Sequence, residues 1–131
     1  MKNFIKSITL QSNNFDQVVS KASEIIESTA FKILHIHDVK ATFASKGIEH
    51  ENYKIIEFCR APIAKQVLDI EPLIGLFLPC KMIIFERNDE ITVAVFLPNA
   101  ISDFFNDVEL GTLPEGVNED ILKIIDALNN K

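Results

Sequence analysis

CKMIIFERNDEITVAVFL, residues 80–97, decides the fold. Two runs of aliphatic and aromatic residues flank the polar connection Arg87-Asn88-Asp89-Glu90. That pattern reads as an antiparallel hairpin, with the turn type open because the Asn-Gly signature is missing. Side chains alternate across a strand, so Met82, Ile84, Val93 and Val95 share one side, and Ile83, Phe85, Ala94 and Phe96 share the other. Both sides are apolar, whereas a sheet with one covered face alternates apolar with polar. Something must cover the second face, either inserted segments or a second copy of the chain. The expectation is a homodimer.

Working outward, YKIIEFC (53–59) reads as a strand entering this hairpin, and FKILHIHDV (31–39) as the strand before it. Strict alternation there places Phe31, Ile33, His35 and His37 on one face. NFIKSITLQ (3–11) supplies a first strand. Between it and the second, Phe15, Val18, Val19, Ala22, Ile25 and Ile26 recur at helical spacing, with Asn13 or Asn14 as cap and Asp16 near the positive end. NEDILKIIDALNNK (118–131) predicts a final amphipathic helix capped by Asn118. Short helices follow Pro62 and Pro98. The order strand, helix, four strands, helix predicts an α+β fold. It has two layers: a mostly antiparallel five-stranded sheet with two long helices on one face.

Composition bounds the function. The chain of 131 residues is 47% hydrophobic, enough for one core and one domain, 1–131. A net charge of −6 with no basic run argues against nucleic acid as partner. The start carries no apolar secretion signal, and the most apolar region, around 73–85, is too short for a membrane span and contains Lys81. The expectation is a cytoplasmic protein without a membrane partner, whose two cysteines stay reduced.

A helix opening with Phe15-Asp16, a strand ending in His37-Asp38, then YKIIEFCRAPIAKQVLDIEPLIGLFLPCKMIIFE (53–86) and ITVAVFLP (91–98) together resemble the domain-of-unknown-function family numbered 302. The most specific part is Cys59 to Pro62, followed some twenty residues later by GLFLPC. The resemblance implies a fold like that of the TATA-box-binding-protein group and makes Cys59, Pro62, Pro79 and Cys80 part of the family pattern. It implies no activity, and a shared architecture does not imply DNA binding.

If the third and fourth strands are antiparallel neighbours, the end of one lies beside the start of the other. Segment 60–79 is then an excursion that leaves and returns at one rim, bringing Cys59 and Cys80 together. Unpaired cysteine also packs as a small hydrophobe, so both readings stand. Three functions follow. One is a small-molecule-binding module, with the excursion as a lid over a pocket near Cys59 and Cys80, edged by Phe58, Leu76, Phe77, Leu78 and Pro79. Another is a thiol-dependent redox or sulfur-handling protein using the same two thiols. The last is a structural homodimer or partner-binding domain. His35 and His37, two apart on a strand, are the candidates for a metal, but no full ligand set is legible. No nucleophile elbow, phosphate-binding glycine loop or dinucleotide fingerprint is present, so neither a catalytic residue nor a cofactor is assigned.

Overall fold

The computed structural model describes residues 4–11 and 14–129. Strands β1 (Ile5–Leu10), β2 (Lys32–Asp38), β3 (Tyr53–Cys59), β4 (Cys80–Arg87) and β5 (Glu90–Phe96) form one sheet in the order β1-β5-β4-β3-β2. Every pairing is antiparallel. The helices are α1 (Phe15–Glu27), α2 (Val39–Ala44), α3 (Ala61–Ile70), α4 (Asn99–Phe104) and α5 (Leu113–Asn129), with a 3₁₀ helix over Pro72–Phe77. The expected α+β order of strand, helix, four strands, helix is therefore the fold, with the short helices as insertions.

The hairpin at 80–97 has the tightest connection. Arg87 pairs with Glu90, leaving Asn88 and Asp89 at φ +53° and +63°. Two positive φ values define a type I′ turn, whose twist matches that of the flanking strands. Asn and Asp tolerate this region because their short polar side chains bond locally.

α1 starts where Asn14 accepts a hydrogen bond from the Gln17 backbone N–H at 3.0 Å. Asn13, the other candidate cap, lies outside the described residues. Phe15, Val18, Val19, Ala22 and Ile26 form the buried stripe. This stripe and that of α5 (Val117, Ile121, Ile124, Ile125, Leu128) close on Ile56, Phe58, Met82, Ile84, Ile91, Val93 and Val95. Full burial of one such side chain contributes about 1.5–3 kcal/mol, so this single layer of contacts dominates the fold's stability.

Two sequence expectations are corrected. β2 does not alternate strictly: Ile33 pairs with Phe58 but His35 pairs with Glu57, so Leu34 is a bulge residue. The slip puts Ile33 and Ile36 against the core and turns His35 and His37 to the other face, where strict alternation had grouped them with Phe31 and Ile33. The final helix begins at Leu113 and not at Asn118. Pro114 stands in its first turn, where a missing N–H costs nothing, so the helix begins five residues before the expected cap. Asn118 is instead a buried residue within α5, 8% exposed, whose Oδ1 accepts the backbone N–H of Asn99 at 3.3 Å. It satisfies one of the free donors at the start of α4.

On the second face of the sheet, Ile55, Ile83, Phe85 and Phe96 are half-buried. One corner is closed by aromatic contacts: Tyr53 stacks on Phe85 at 5.6 Å between centroids, and His50 lies between Phe43 of α2 and Tyr53. Among the described residues no helix is long and apolar enough to cross a membrane.

Candidate functional site

The site is built at the rim where β3 ends and β4 begins. The ladder pairs Phe58 with Cys80, and on its other side Lys32 with Cys59. Cys59 thus stands one residue beyond the partner of Cys80, and both thiols sit at one rim. Both are free and half-buried.

The chain leaves this rim as α3. Arg60 occupies the cap position without a side-chain capping hydrogen bond, and Pro62 lies in the first turn. Glu71 closes α3 and opens the 3₁₀ helix, its Oε2 accepting the Leu73 N–H at 3.0 Å. Val67 and Ile74 bury themselves against Ile101 of α4 and Leu110, forming a second, smaller apolar cluster. Phe77 packs edge-on against Phe105, with centroids 5.8 Å apart, and near Phe104 at 5.1 Å. A cis Leu78–Pro79 peptide leads into β4.

Between these parts lies a cavity of about 280 Å³. Its wall takes Cys59, Cys80, Leu76, Phe77, Leu78 and Pro79 from the rim and the excursion. Phe58, expected in the wall, is not there. It is fully buried in the core, edge-to-face on Phe31 at 5.2 Å and 89°, and Phe31 reaches the cavity in its place. The reason is alternation: Phe58 points to the helix layer together with Ile56. Sequence reasoning missed the far wall, made by Phe96, Pro98 and Ile101 and by Leu113, Pro114 and Val117. Its signal was the apolar residues scattered through 98–117, where the sequence reads as a short helix after Pro98 and then a stretch interrupted by Gly and Pro.

Electrostatics at the thiols are set by burial. Desolvation pushes the Cys80 thiol up to about 11; nearby Cys59 adds to the rise, and Lys81 and a backbone hydrogen bond oppose it. Desolvation also raises Cys59. Nucleophilic and redox cysteines require the opposite shift, toward the thiolate.

His35 and His37 stand side by side, rings 4.4 Å apart, on the face away from the core. His37 Nε2 lies 3.1 Å from Glu57 Oε1. Neither histidine lines the thiol cavity. Among the described residues, no group of three or more His, Cys, Asp or Glu side chains is gathered to hold a metal ion.

No curated protein matches this chain. Its architecture is similar to the crystal structure of an uncharacterized conserved protein DUF302 from Bacillus stearothermophilus, with a TM-score of 0.84 at 21% identity, covering 95% of this chain and 97% of that one. The model of the domain of unknown function DUF302 matches residues 7–128, which take in β2 to β5, α1, most of β1 and nearly all of α5. The chain belongs to the DUF302 family.

Proposed function

We propose that the protein is a small-molecule-binding module whose site is the cavity at the Cys59–Cys80 rim. The observation that carries the reading is a cavity of about 280 Å³ walled almost wholly by apolar side chains from three separate parts of the chain. A cavity of about 150 Å³ with such a lining is enough to take benzene, so a somewhat larger apolar ligand suits this one. Cys59 and Cys80 serve as wall residues: neutral thiols are small, polarisable and compatible with an apolar guest. The setting proposed is the cytoplasm, where both remain reduced.

The alternatives have weaker support. Thiol redox chemistry is opposed by the raised pKa of both cysteines. Self-association through the second sheet face has less to act on than the sequence suggests, because Ile55, Ile83, Phe85 and Phe96 are already half-buried within one chain. Sedimentation at micromolar concentration separates a dimer from a monomer.

The test of the cavity is methyl NMR during titration with octanol, a neutral apolar probe. Shifts concentrated at Ile63, Val67 and Val117, all in the wall, are expected. Ala64→Phe, which fills the space from α3, should abolish them. Changes confined to exposed Leu34 and Leu73, which lie outside the wall, would defeat the reading.

A further inference from the structure

Among the described residues, Arg60 and Lys81 are the only charged ones in the cavity wall, with no carboxylate beside them in the lining. This runs against the overall balance of the chain, whose net charge is −6. Arg60 Nη1 is held by Asp120 Oδ2 at 2.9 Å, which leaves other guanidinium donors of the fork unused by that contact. Lys81 makes no ion pair among the described residues, and its ammonium donates to the Pro79 carbonyl at 3.3 Å, a wall residue of the same cavity. An ammonium has three protons to give, so two remain. α3 begins at the same wall, with Arg60, Ile63 and Ala64 in the lining, and no side chain caps its positive end. Lys81, without an ion pair among the described residues, and Arg60, with donors to spare beyond Asp120, stand beside an apolar space and describe a site for a guest with one anionic end and one hydrocarbon end.

Size narrows the guest. A methylene is comparable in bulk to a water molecule, whose share of the liquid is about 30 Å³, so the space fits roughly eight to ten carbon atoms. Resting on the cavity reading above, we infer that the ligand is a medium-chain monocarboxylate. Its hydrocarbon lies between α3, the 3₁₀ helix and α4, and its carboxylate pairs with Lys81, with Arg60 as the second cation.

The experiment compares octanoate with octanol by calorimetric titration at neutral pH, using the full chain. Octanoate is expected to bind about tenfold more tightly or better, the scale of one charge-assisted hydrogen bond. Lys81→Met should erase that preference; Lys81 is exposed, so the fold should survive its replacement. Lys81→Glu should go further and favour octylamine over octanoate. Equal affinity for octanoate and octanol, or a preference untouched by both Lys81 variants, overturns the carboxylate inference and leaves the cavity reading standing. Failure of all three probes to bind removes both.

Discussion

Phe58 and Cys80 face each other across β3 and β4, both directed to the helix layer, while Cys59 sits one step further along the same rim. The two thiols are therefore neighbours with unequal surroundings. Cys80 is pushed from its ordinary 9.0 to about 11 by desolvation first, and it holds its proton in the folded chain over a range where the unfolded chain releases it. A raised pKa gives a contribution that is intact below pH 9 and lost as pH rises through 11. Over two pKa units this amounts to about 2–3 kcal/mol. Urea midpoints measured at pH 8 and pH 11 should fall further for the native chain than for Cys80→Ala, since lysine titration is common to both. Equal falls would refute the assignment.

Phe58 is the most consequential core residue at this rim. It is fully buried and packs edge-on against Phe31. Phe58→Ala should cost about 3–5 kcal/mol, the sum of lost transfer energy and the space left behind. Exposed Leu76, at 81%, provides the contrast: Leu76→Ser should change stability by no more than about 0.5 kcal/mol. Denaturant unfolding of both variants measures the difference.

Asn118 holds the start of α4 from inside α5. Asn118→Ala removes the acceptor for Asn99 and should destabilise by about 1–2 kcal/mol. Asn118→Asp keeps an oxygen in reach and should lose less. Thermal unfolding of the pair at neutral pH gives the order; a larger loss for Asp than for Ala would show that the bond is not what Asn118 contributes.

The type I′ turn can be improved. Asp89 adopts φ +63°, a region glycine enters without strain. Asp89→Gly should stabilise by about 0.5 kcal/mol, and Asp89→Val should destabilise by about 1 kcal/mol or more, because a branched Cβ is poorly accommodated there. Midpoints of chemical unfolding check both signs.

What the sequence revealed followed from periodicity. The stripe of α1 and the hairpin are visible as spacing of apolar residues, while the meeting of Cys59 and Cys80 at one rim follows from the sequence only on the condition that β3 and β4 run antiparallel, as they do. The errors arose where one residue changes the phase or a breaker does not break. Leu34 inserts a single position into β2, and every side chain after it changes face; a bulge leaves no compositional mark. Pro114 reads as an interruption because a missing N–H is tolerated only in a helix's first turn, and which turn is first depends on tertiary packing. The cavity's far wall, from Pro98 to Val117, comes from segments distant along the chain, and no local pattern announces that they converge.

The twenty residues from Arg60 to Pro79 depart and arrive at strand ends already pinned side by side. Doubling the length of such a detour costs only about 0.6 kcal/mol in closure entropy, provided its anchors stay put. Natural or engineered variation can therefore reshape this appendage, and with it the cavity it walls, while the ladder from Ile5 to Phe96 keeps its register. The excursion and the scaffold are thermodynamically separable in this chain, so new versions of segment 60–79 can be grafted without disturbing the sheet.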